Sequence, residues 1–172
     1  MANAIDIADF IIQESAQNQH PITNLELQIY MYFCHARSLI DTGVPLIADE
    51  PLQKWKYGPI APNVYHTYKR YGITPIINPD THTKLDLDNW EVESETFDID
   101  RLTDSEINLI KNTIPTLFKF DRFALIKETH RHPSWTTMEK DIMVANHELI
   151  YDNNDIIADF QHNIKFQIWL NR

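Results

Sequence analysis

The feature that most constrains this chain is a helix start signal at Thr23-Asn24-Leu25-Glu26, followed by an apolar stripe that lasts four turns. In such a capping box the threonine hydroxyl accepts from the glutamate backbone N–H, and the glutamate side chain reaches back to the threonine N–H. Two otherwise orphaned donors are satisfied within three residues. Ile22 and Leu27 stand where a hydrophobic staple sits. Leu25, Ile29, Tyr32, Phe33, Ala36 and Ile40 recur at helical spacing, and Gly43 suits the left-handed cap at the far end. No other stretch defines an element as well.

Weaker signals of the same kind fill most of the chain. Ala4 to Gln17 reads as a helix capped by Asn3 or Asp6, with Ile5, Ala8, Ile11 and Ile12 at helical spacing. A second capping box, Thr103-Asp104-Ser105-Glu106, opens a helix through Ile107, Ile110 and Ile114 that is expected to stop at Pro115. Asp121 caps a short helix to Thr129, and His130 to Trp135 reads as a break. Helical patterns resume around Met138 to Ala145. Asp155 to Leu170 carries Ile156, Phe160, Ile164 and Ile168 four apart. Pro62 suits the first position of a helix to Tyr71, with Gly72 just past its end. A short hairpin is expected between Leu46-Ile47 and Leu52-Lys54-Trp55, across the Asp49-Glu50-Pro51 break. Ile73 to Phe97 has short alternations (Leu85/Leu87, Trp90/Val92) and a proline pair, and reads as weak strands or loop. The expectation is one mainly α (α+β) domain over residues 1–172, of about six helices with a small antiparallel β-hairpin.

Glycine is scarce: Gly43, Gly58 and Gly72 are the only three in 172 residues. Dinucleotide fingerprints and phosphate-cradling loops need glycines two to five residues apart, so that the backbone can approach phosphate. The spacings here are 15 and 14, which excludes both routes. With 43% hydrophobic and 11% aromatic residues the chain is not a disordered one. No apolar run approaches the roughly 18 residues of a membrane span. The N-terminus lacks the basic flank and apolar core of a signal segment. The single cysteine, Cys34, cannot form an internal disulfide, so a cytoplasmic, reducing setting is expected.

A net charge of −10 is spread unevenly. Between Asp86 and Glu106 there are nine acids against Arg101 alone, a local charge of −8 that includes Asp86, Asp88, Glu91, Glu93, Glu95 and Asp98. Pro51 to Pro79 holds Lys54, Lys56, Lys69 and Arg70 and no acid, hence +4. The acidic stretch reads either as a solvated, solubilising loop or as a docking surface for a basic partner.

The search for reaction chemistry finds little. Cys34 falls near the apolar stripe, which makes it a buried structural thiol, and its neighbour His35 points away from it on a helix. His130-x-His132 lacks the further ligands of a usual zinc pattern, and there is no nucleophile elbow. The carboxylates crowd into one solvated stretch. No catalytic, cofactor-binding or metal-binding residue is assigned, and the chain is not read as an enzyme. Pro62 to Tyr71 offers Asn63, His66, Lys69 and Arg70 to a DNA groove. The overall acidity opposes that reading, and Tyr65, Tyr68 and Tyr71 are expected to face the core.

Three segments carry a family pattern: Ile22 to Phe33 with Thr23, Leu25 and Tyr32; Gly43-Val44-Pro45-Leu46; and Trp55-Lys56-Tyr57-Gly58-Pro59-Ile60-Ala61-Pro62-Asn63-Val64-Tyr65. Thr129-His130, followed by Pro133 and Trp135, adds a fourth. Together they resemble the SocA-like antitoxin family, also called the Panacea domain and known among phage-associated proteins. Ile29, and Cys34-His35-Ala36, depart from the family pattern. The resemblance implies an antitoxin that binds and neutralises a cognate protein toxin from an adjacent gene, with no catalytic residue. It also implies two alternatives: an adaptor that delivers the toxin to a bacterial protease, or, from the residues, a DNA-binding regulator. The motif residues Trp55, Tyr57, Gly58, Pro59, Val64, Tyr65, His130 and Trp135 read as architecture first, with Trp55 burying a large apolar area, and as partner contacts second. The acidic stretch is the better expectation for partner choice.

Overall fold

The computed structural model describes residues 2–144 and 149–170. It is mainly α with a small β component, and the described residues form eight α-helices and two separate two-stranded antiparallel sheets.

The capping box at Thr23 forms, with both reciprocal bonds, and opens helix α2 (Asn24–Thr42), which ends on Gly43 at φ +73°. The sequence pattern puts one apolar stripe on this helix. The structure buries every side chain from Leu27 to Ala36, because helices pack around it on all sides. The wrap comprises α1 (Ala4–Gln17), α3 (Pro62–Tyr68), α4 (Asp104–Leu117), α5 (Arg122–His130) and α8 (Asn153–His162). Helix α1 has the expected Asn3 cap, with Asp6 completing a capping box.

A helix buried all round must satisfy its polar side chains with groups from its neighbours. Gln28 Nε2 donates to Asn24 Oδ1 (3.0 Å), and its Oε1 accepts the Ala61 N–H (2.9 Å). Asn24 donates to the Tyr65 carbonyl. His35 accepts the Ile47 N–H at Nδ1, which fixes the proton on Nε2, 2.8 Å from Asn153 Oδ1. Through these bonds α2 fixes the loops on both sides of it.

Four expectations are corrected. The first hairpin pairs β1 (Gln53–Trp55) with β2 (Gly58–Ile60), turning at Lys56-Tyr57, and Leu46-Ile47 lies outside it, buried in the core. Helix α4 runs past Pro115 to Leu117. Pro115 and Lys111 are both exposed, so the carbonyl that loses its donor lies on the solvent-facing side of the helix, where water can take the donor's place. Helix α8 stops at His162, where Asn163 caps a 3₁₀ turn, so Ile164 is exposed while Phe166 and Trp169 enter the core. His130 to Trp135 is no plain break. It holds the end of α5 and the start of α6 (Pro133–Thr136). Helix α7 (Glu139–Val144) matches the pattern read from Met138, whose Ala145 end lies outside the described residues.

Residues 82–95, read as weak strand or loop, form the second hairpin: β3 (His82–Asp86) and β4 (Glu91–Glu95) joined by a four-residue turn.

Candidate functional site

The family-motif residues converge on one corner, where the first hairpin closes on α5 and α6. Gly58 has φ +119°, and a Cβ there would stand 2.9 Å from Thr129 Oγ1, so only glycine lets β2 approach α5 this closely. The Trp135 indole N–H donates to the Trp55 carbonyl at 3.0 Å. His130 stacks on Trp135 with ring centroids 3.7 Å apart. Pro59, Val64 and Thr23 are buried beside the corner or at its supporting helix start. Tyr32 and His132 Nδ1 hydrogen-bond at 2.8 Å inside the core. Burial pushes His132 down to about 3, with Arg131 adding to the effect, so the ring is neutral.

Trp55, expected to bury a large apolar area, is only half-buried. Trp135, 2% exposed, is the buried tryptophan of the corner. The Trp55 indole is bonded to Gln53, and its ring is edge-on to Tyr65 at 4.9 Å. Of the three tyrosines of α3 and its end, Tyr68 alone is fully buried. Trp55, Tyr65 and Leu25 line an open groove of about 420 Å³ flanked by Lys56 and Lys69, and Tyr57 stands 55% exposed at its rim.

The acidic candidates divide. Asp98 accepts the Asp100 N–H as the cap of a short turn, and Glu95 pairs with Lys84 (2.9 Å) and Arg101 (3.3 Å). The Lys84 hydrogen bond holds the Glu95 carboxyl below its usual range. Asp86, Asp88, Glu91 and Glu93 gather at the far end of the second hairpin, and among the described residues none of them has a cationic partner.

The alternations Leu85/Leu87 and Trp90/Val92 of the sequence fall on this hairpin and make it amphipathic. Leu85 pairs with Val92 on one face of the ladder, and Leu87 and Trp90 follow in the turn that joins the strands. All four are exposed, from Leu85 at 51% to Trp90 at 76%. The other face carries the charges, and at its base His82 Nε2 lies 2.7 Å from the buried Asp9. Tyr68 donates to the same carboxylate, Arg101 bonds Asp6, and Phe97 stacks on Phe10. The hairpin is thus pinned at its base and free at its tip. Trp90 has φ +58°, a left-handed conformation that disfavours any side chain. Asp9, which anchors the arm, escaped sequence reasoning because its partners lie 59 and 73 residues away.

Cys34 is fully buried, and burial pushes its thiol up to about 12. Among the described residues no cluster of histidine, cysteine or carboxylate side chains is arranged to hold a metal, and no helix is long and apolar enough to cross a membrane.

Residues 27–136, from α2 through α6 and including both hairpins, match the sequence model of the antitoxin SocA-like, Panacea domain family. The chain belongs to that family. Antitoxin SocA of Caulobacter vibrioides (strain NA1000 / CB15N) is 39% identical over 72 residues, which is 42% of this chain. The match spans 38% of that relative's length. No solved structure shows a significant match.

Proposed function

We propose that this Panacea-domain chain neutralises a cognate protein toxin, encoded by an adjacent gene, by binding it directly through the β3–β4 hairpin. The observation that carries this reading is the exposure of Leu85, Leu87, Trp90 and Val92 on one hairpin, beside acids without a cationic partner among the described residues. An isolated two-stranded hairpin is marginal in water, and a left-handed tryptophan makes this one less stable still. Glycine is the residue such a turn position favours. An indole there, 76% exposed, belongs to an arm whose stability is completed by a partner. Desolvated tryptophans carry much of the energy of protein interfaces, and the acids steer a basic surface toward the arm.

Co-expression of the chain with the product of the neighbouring reading frame tests this. Wild type should restore growth. E91K/E93K should lose rescue while keeping its fold, and pull-down of the toxin by wild type should weaken as salt screens the contact. Glu95 is left intact, because it holds the hairpin base through Lys84 and Arg101. Full rescue by E91K/E93K overturns the assignment of the hairpin, and no toxicity from the neighbour overturns the pairing.

A further inference from the structure

We propose that in the free protein the acidic hairpin tip of one copy docks into the Trp55–Tyr65 groove of a second copy, reciprocally, giving a two-fold dimer that covers the arm. The molecule carries both halves of this contact. The groove is apolar and aromatic at its floor, through Leu25, Trp55 and Tyr65, with Lys56 and Lys69 beside it and no acid in its lining. Neither lysine has an ion pair among the described residues, and Lys56 Nζ lies 5.5 Å from the centre of the Tyr57 ring. The hairpin has the opposite character: an exposed indole in the turn, exposed Leu85, Leu87 and Val92 near it in the chain, and Asp86, Asp88, Glu91 and Glu93 without a cationic partner among the described residues.

Three considerations select a second copy as the occupant. The first is charge: the groove belongs to the +4 stretch of the sequence, and the hairpin is the core of the −8 stretch. The second is shape, since a cavity of about 420 Å³ lies in the range that accepts a bulky aromatic anchor. Its edge-on pair, Trp55 and Tyr65, offers ring surface for offset or edge contacts with an indole. The third is symmetry. A contact in which each copy gives a tip and receives one is isologous and closes at two, the commonest arrangement of soluble oligomers. A nucleic acid fits less well, because two lysines in a chain of net charge −10 give little backbone attraction.

The inference concerns the chain alone and stands apart from the antitoxin reading. Where both hold, a toxin competes with the second copy for the same arm, so the exposed indole is shielded until a partner arrives.

Sedimentation velocity of the purified full chain, from about 1 to about 200 µM, provides the test, because mass action drives a self-contact forward. Wild type should shift from monomer to dimer across that range, with the dissociation constant rising roughly tenfold from about 0.1 to about 0.5 M NaCl. K56E/K69E puts acid against acid and E91K/E93K puts base against base, so each should remain monomeric throughout. Mixed in equal amounts, the two variants become complementary again, and a one-to-one dimer should reappear. W90G, whose glycine suits the turn, should also remain monomeric. All five positions are exposed, and circular dichroism shows whether each variant keeps its fold. A wild-type chain that stays monomeric overturns the inference, as does a dimer that both charge reversals leave intact. Failure of the mixed variants to pair overturns it too. So does a monomeric chain whose groove binds a labelled single-stranded oligonucleotide in a Lys56- and Lys69-dependent way. A monomer leaves the rescue experiment untouched, and loss of rescue leaves the dimer untouched.

Discussion

The two hairpins of this protein have the same local construction and opposite settings. Each is a pair of antiparallel strands joined by a short turn, β1–β2 over Gln53–Ile60 and β3–β4 over His82–Glu95. The first has only three residues per strand, yet Gly58, Pro59 and Ile60 are all buried. It is held by the Trp135 indole, by the Thr129 side chain under Gly58 and by Gln28 just beyond its end. The second is longer and pairs five residues with five, but from Thr83 to Ser94 only Asp86 is even half-buried. Ladder length therefore does not set how firmly a hairpin is held. What it packs against does, because backbone pairing exchanges hydrogen bonds with water at little net gain, while burial of apolar surface does not.

Truncation at the packed corner should break the comparison most strongly. W135A removes a fully enclosed ring, its bond to Trp55 and the platform under His130, and should cost about 3–5 kcal/mol in urea unfolding. A loss below about 1 kcal/mol would mean that the corner does not depend on its indole.

A smaller effect comes from acid. Burial holds His132 at about 3, against 6.5 for an ordinary histidine. Above that ordinary value both folded and unfolded chains carry it neutral, and its contribution to stability is fully present. As the pH falls, the unfolded chain takes up a proton that the folded chain refuses. Stability should then drop by up to about 1.4 kcal/mol per pH unit from this one group, down to its folded value. H132N retains a polar group near Tyr32 and cannot titrate, so its stability should vary less steeply between about pH 6 and about pH 4. Identical slopes for variant and wild type would remove His132 as the cause.

The smallest effect on stability is expected at the exposed arm. W90G should leave the unfolding free energy unchanged or raise it by about 1 kcal/mol, since glycine accepts φ +58° without strain. The same substitution should abolish toxin rescue. Destabilisation beyond about 1 kcal/mol would show that the indole packs on its own chain, and the contrast between the hairpins would collapse.

The sequence by itself determined the capped helix starts and the one glycine-capped end, but not the ends of α4 and α8. Thr23 with Glu26, Thr103 with Glu106, Asp121 with Ala124 and the left-handed Gly43 act where they were read, because each interaction closes within four residues. It also located the acidic stretch and the motif segments, since charge and residue type need no fold to be counted. Tertiary structure alone decided which strand pairs with Gln53–Trp55, which tryptophan goes inside, and that Asp9 holds the acidic arm through His82. It decided too that Gln28 and His35, polar residues on the main helix, are buried ties to loops. Apart from the β1–β2 pairing, whose partners are at most 7 residues apart, these choices join residues 33 to 118 positions apart, and no local propensity encodes them. They are fixed only when helices pack on every side of α2, and each buried polar group must then find its partner.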